Sequence, residues 1–154
     1  MARLAGLVLA ALIAASGAMA CERPANHAAI AAEVIERTNV ERGKKRRAAL
    51  TRADRLTDAA QSHACFMAAT DKMSHTGKGG SSVGARVSGT GYRWGMVAEN
   101  VAFGQATAQA VMASWVTSKG HRKNLMHRKA RDIGIGIARK NGRLYWAMVL
   151  AAPR

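Results

Sequence analysis

The sequence predicts an α+β fold in which helices cover a small antiparallel sheet. Apolar residues recur at helical steps of three and four in the first half of the chain, and they alternate with period two near its end. Between the two alternating stretches stands Asn141-Gly142, a strong signal for a two-residue hairpin turn. Helical patterns first and strand patterns last imply helices packed on a sheet that closes with a C-terminal hairpin.

In chain order, Ile30, Val34, Ile35 and Val40 mark a helix from Ala28 to Glu41, and Gly43 with the cations around it is a stop signal. Lys44-Lys45-Arg46-Arg47 then reads as a solvated loop between helices. A polyanion contact is the competing reading, but no aromatic residue is interleaved to stack on nucleic-acid bases. The clearest helix begins at Asp54, an expected N-cap, and places Leu56, Ala59, Ala60, His63, Ala64 and Met67 on one stripe. His63, among small apolar residues, is expected in the core or at its edge. Ser74 to Gly91, rich in Gly, Ser and Thr, is expected to be a long ordered loop with a helical turn near Val83 to Val87; such loops are often functional. Met96 to Phe103 suits a short strand or a strand-to-helix transition. Thr107 to Ser118 returns to helical spacing through Ala110, Val111, Ser114 and Trp115, and Gly120 is expected to break it. Asp132 to Ala138 and Leu144 to Leu150 are the strands of the closing hairpin.

The 154 residues accommodate one domain and a targeting segment. Residues 1–20 fit a secretory signal: Arg3 is their only charge, Leu4 to Ala15 is apolar, and Ala18-Met19-Ala20 is a small-x-small cleavage pattern. The apolar run is shorter than the roughly 20 residues of a membrane-spanning helix. Export with cleavage after Ala20 is therefore expected, leaving a periplasmic or secreted domain over 21–154. Cys21 would then be N-terminal, where acylation as a lipoprotein is the competing fate, although Ala18 stands where such signals carry a leucine-like residue. Cys65 is the other cysteine. Two cysteines in an exported chain predict a Cys21–Cys65 disulfide, worth roughly 4 kcal/mol for a loop of this size, whereas a catalytic Cys65 would need a free thiolate.

Lys and Arg number 24 against 9 Asp and Glu, a net charge of +15 that falls by one when residues 1–20 are removed. The surplus favours anionic partners such as lipid headgroups or acidic envelope polymers, with no basis for specific nucleic-acid binding. Nothing in the sequence asks for more than a monomer.

Five segments add a family likeness. The Ala-rich helix RADRLTDAAQSHACFMA precedes MSHTGKGGSSVGARVSGTGY, with its Ser-His-Thr-Gly loop and Arg-Val turn; AENVAFG, SWVTSKGHRKNLM and DIGIGIARKNGRLYWAMVL follow. In this order they resemble motifs of the bacterial branch of the CAP superfamily (cysteine-rich secretory, antigen 5, pathogenesis-related proteins), over about residues 30 to 150. The resemblance implies a three-layer α-β-α sandwich. It also implies a cleft lined by two histidines and acidic residues, which holds a divalent metal in several members. Matched by motif, the cleft residues are His75, Glu99 and His121, with Asn100, Arg122 and Asn124 as scaffold beside them. This chain departs from the pattern at Ala98, where a glycine usually precedes the glutamate. It departs again at Val116-Thr117-Ser118, which lacks the second glutamate expected after Trp115.

Two neutral imidazoles and one carboxylate suit Zn²⁺ or another divalent cation, with a position left open for water or ligand. No local signature announces such a site, and no His-Glu-x-x-His occurs. The first functional expectation is an exported binding module whose cleft holds an envelope ligand, lipid or anionic polymer. The second is a metal-assisted hydrolase of peptides or cell-wall material. A lone glutamate that ligates metal cannot also serve freely as general base, which weighs against the hydrolase. A third, polyanion or membrane binding independent of the cleft, follows from the charge alone. No catalytic residue is assigned.

Overall fold

The computed structural model describes residues 21–154, so the expected signal segment lies outside the described residues. The elements run α1 (His27–Lys44), β1 (Thr51–Arg52), α2 (Asp54–Thr70), α3 (Val83–Gly89), β2 (Trp94–Phe103), α4 (Ala108–Thr117), α5 (Lys119–Leu125), β3 (Asp132–Lys140) and β4 (Arg143–Pro153). The strands form one sheet in the order β1-β3-β4-β2. β4 pairs antiparallel with β3 and β2, but β1 runs parallel to β3, so the sheet is mixed where the sequence predicts a purely antiparallel one. β1 is two exposed residues, too short to show any period in the sequence; pairing with Asp132 and Ile133 makes it a strand.

β3 shows why there are three layers. Ile133, Ile135 and Ile137 join Val34 of α1 and Val111 and Trp115 of α4 in one core. Gly134 and Gly136, between the isoleucines, meet α2. A Cβ on Gly134 would stand 2.2 Å from the backbone carbon of Leu56, and one on Gly136 2.2 Å from that of Ala60. The α2 backbone therefore lies directly on the strand, with Ala59, Ala60 and Ala64 in the second core. β4 repeats the division: Leu144, Trp146, Met148 and Leu150 face the first core, and Tyr145, Ala147, Val149 and Ala151 the second. The period-two pattern thus separates two buried faces rather than a buried face from a wet one.

The closing turn is built as the dipeptide requires, with φ of 50° at Asn141 and 74° at Gly142. Cys21 and Cys65 are joined in a disulfide across a separation of 44 residues, tying the start of the described chain to α2. Two local expectations need correction. Ala53, not Asp54, is the N-cap of α2 and no side chain caps it; Asp54 sits in the first turn, where its charge suits the helix dipole. Gly120 does not break the helix before it. Extended backbone at Ser118, ψ 123°, ends α4, and Gly120 lies inside α5. Among the described residues no helix is long and apolar enough to cross a membrane.

Candidate functional site

β2 is an outer strand of the sheet, so groups from both helical layers can meet around it. Its alternation divides the work: Glu99 points to the α2–α3 side, and Asn100 to α5. Glu99 is the centre of the first group. Its side chain is 2% exposed, and both carboxylate oxygens are engaged. Arg86 Nη2 donates to Oε2 at 2.6 Å, and His75 Nδ1 donates to Oε1 at 2.9 Å. A third imidazole, His63 of α2, lies 3.9 Å from Oε1 but donates its Nε2 proton to the Ser74 carbonyl at 2.7 Å. A carboxylate only accepts, so His75 Nδ1 donates in this bond and Nε2 of the exposed ring lies outside it.

Arg86 enters the sequence reading only as part of the Arg-Val turn, with no site role assigned, and it organises this half of the site. Besides Glu99, it donates through Nη1 to the carbonyls of Ser81 at 2.7 Å and His75 at 3.2 Å. It is carried by α3, a two-turn helix capped by the Ser82 hydroxyl and locked to β2 through Trp94 Nε1, which donates to Ser88 Oγ at 3.0 Å. A Cβ on Gly77 would stand 2.8 Å from Arg86 Nη1, so the loop can close over the guanidinium only because Gly77 lacks one. The sequence signal was faint: one arginine in a short helix within a Gly- and Ser-rich segment.

The second group lies on the α5 side. Asn100 Nδ2 donates to the His121 carbonyl at 3.2 Å, and Asn124 Nδ2 donates both to the Glu99 carbonyl at 3.0 Å and to Asn100 Oδ1 at 2.9 Å. Two amides thereby fix the backbone of His121 relative to that of Glu99. Arg122 is exposed. His121 Nδ1 is buried without a hydrogen-bond partner among the described residues, as is His63 Nδ1. Burial pushes His121 below the ordinary histidine range, and its electrostatic interaction with His75 adds to the effect. Burial also lowers His63, against a smaller upward pull from Glu99. Both rings are thus neutral at neutral pH.

The donors do not fit a three-ligand metal site. Among the described residues no three His, Cys, Asp or Glu side chains form a group that could hold an ion. Glu99 has both oxygens engaged by its own neighbours, His75 and Arg86. The arrangement ties two histidines to neighbouring residues of β2: His75 bonds through its ring to Glu99, and His121 accepts from Asn100 through its carbonyl.

The model of the family described as cysteine-rich secretory protein family matches residues 35–150. A Bacillus subtilis protein, YkwD, is 29% identical over 113 residues, which make up 73% of this chain and 44% of that protein. The YlbC membrane protein of the same organism is 28% identical over 108 residues, 70% of this chain and 31% of YlbC. The chain therefore spans less than half the length of these relatives. Among solved structures, an extracellular protein containing an SCP domain from Bacillus anthracis superposes with a TM-score of 0.76 at 22% identity, covering 81% of this chain and 41% of that one. An outer surface protein of Borrelia burgdorferi superposes with a TM-score of 0.79 at 16% identity, covering 87% of this chain and 99% of that one. At these identities the likeness establishes the fold.

Proposed function

The chain belongs to the cysteine-rich secretory protein family, and from that premise we propose that it is an exported binding module whose cleft takes an envelope ligand through His75 and His121. One observation carries the reading: the Glu99 carboxylate is paired with Arg86 and accepts a hydrogen bond from His75 within the protein. A carboxylate so engaged is not free to act as a general base or to supply a metal with its third donor. The site then recognises a ligand by hydrogen bonds to imidazole nitrogens, on a strongly cationic chain that attracts anionic lipids and wall polymers. The structures of the same fold include an extracellular protein and an outer surface protein, and an exported domain fits alongside them.

The test is a calorimetric screen of the protein from Cys21 onward against short-chain phosphatidylglycerol and soluble peptidoglycan fragments, beside a His75→Ala/His121→Ala variant. Binding weakened about tenfold or more in the variant, with the ligand recovered intact, supports the reading; a tenfold loss is about 1.4 kcal/mol. Equal binding by the two proteins, or turnover of a fragment, overturns it.

A further inference from the structure

Two basic segments that are far apart in the sequence are fastened together in the fold. Arg42, fully buried near the end of α1, donates to three carbonyls: Ala48 at 2.8 Å through Nε, and Leu125 at 2.7 Å and His127 at 3.2 Å through Nη1. Arg47 adds a bond to the Met126 carbonyl at 3.2 Å. The turn after α1 is thereby stitched to the turn after α5. Burial lowers the Arg42 pKa, and repulsion from Arg47 and Arg131 lowers it further, which reports how densely positive this corner is.

Around these bonds the exposed residues include Lys45, Arg46, Arg122, Lys123, Arg128 and Lys129. No acidic residue occurs from Arg42 to Ala53, or from Val101 to Arg131. Glu41 immediately before is engaged by Lys44, and Asp132 immediately after accepts from Tyr92. Apart from Lys44, which is paired with Glu41, the cations of this corner have no acidic residue within either segment. Tertiary structure, not sequence proximity, makes the patch.

We infer that the corner formed by residues 44–47 and 122–131 is a docking surface for a linear polyanion, which borders the Glu99 site through Asn124 but takes its contacts from the exposed cations. Clustered unpaired cations gain by releasing the counterions of a charged polymer. A bilayer is the poorer fit. Membrane docking normally buries apolar side chains beside the cations. Here Leu50 and Leu125 are buried, and the exposed large apolar residues among those described, Val40 and Met73, lie outside both segments. Neither segment contains Phe, Tyr or Trp, so neither offers the large stacking platform of a single-strand nucleic-acid binder.

The experiment measures binding of long-chain inorganic polyphosphate by the protein from Cys21 onward, at several salt concentrations. Two corner variants, Lys45→Glu/Arg46→Glu and Arg128→Glu/Lys129→Glu, are compared with a control, Lys72→Glu/Lys140→Glu. The control makes the same charge change, with Lys140 at the opposite end of the nine-residue β3 from Arg131. All six residues except Lys140, which is half-exposed, are exposed, and circular dichroism verifies folding. Each corner variant is expected to bind about tenfold more weakly with a shallower salt dependence. The control and the His75→Ala/His121→Ala variant are expected to stay near the parent. Equal loss in the control would mean diffuse attraction to the net charge and overturn the site. Absence of polyphosphate binding, or preference for phosphatidylglycerol vesicles through the same residues, would overturn the polymer as occupant.

Discussion

Arg86 Nη2 and Glu99 Oε2 stand 2.6 Å apart in a site where the arginine side chain is 9% exposed and the glutamate side chain 2%. A buried pair like this adds little net stability over a well-packed apolar pair, but removing one partner leaves a desolvated charge. Arg86→Ala is therefore expected to destabilise the protein by about 3 kcal/mol in urea unfolding. Glu99→Gln in the Arg86→Ala background should recover part of that loss. Additive losses would mean that the two side chains do not interact as the geometry implies.

Packing of α2 on β3 predicts an asymmetry among glycines. Gly136→Ala places a methyl 2.2 Å from the Ala60 backbone, whereas Gly95→Ala meets no atom closer than 3.6 Å. Gly136→Ala should cost about 3 kcal/mol or prevent folding, and Gly95→Ala about 1 kcal/mol or less. Comparable melting temperatures for the two variants would contradict the direct contact between helix and strand.

The disulfide makes a prediction about chain entropy. Replacing both Cys21 and Cys65 by serine is expected to lower stability by about 2–4 kcal/mol, chiefly by freeing the unfolded chain. Chemical denaturation of oxidised and reduced parent protein checks the same quantity without mutation.

His63 and His121 should make the fold acid-sensitive. Both have folded pKa values depressed below their ordinary 6.5. On acidification the unfolded chain takes up these protons first, so stability is complete above about pH 6.5 and falls as pH drops below it. Urea midpoints measured from pH 7.5 to 5 should decline, and His63→Gln should flatten the decline. A midpoint that rises on acidification in this window would contradict the buried, neutral imidazoles.

Where a pattern is local, the sequence was a good guide to this structure. The Asn141-Gly142 turn, the α2 stripe and both hairpin strands are written in consecutive residues. His75, Glu99, Asn100 and Asn124 could be picked out only by likeness to a family, since nothing in their spacing joins them. The role of Arg86 escaped because it depends on the His75 carbonyl and the Glu99 carboxylate, which only tertiary structure brings to it. β1 escaped for a related reason: two exposed residues become a strand by pairing with β3. The expected helix over Thr107 to Ser118 ends within a residue of α4, but the backbone of Ser118 makes the break and Gly120 fits inside α5. The basic run at Lys44–Arg47 read as a solvated loop, and its meeting with residues 122–131 is invisible until Arg42 is seen to bridge them.

The central claim is that Glu99 is engaged within the protein by Arg86 and His75, so that the cleft serves a ligand rather than a hydrolytic metal. Calorimetric titration of Zn²⁺ into the protein from Cys21 onward, beside the His75→Ala/His121→Ala variant, tests it most directly. The account predicts indistinguishable, weak heats from the two proteins. Tight one-to-one binding by the parent, lost in the variant, would contradict it and restore the cleft as a metal site.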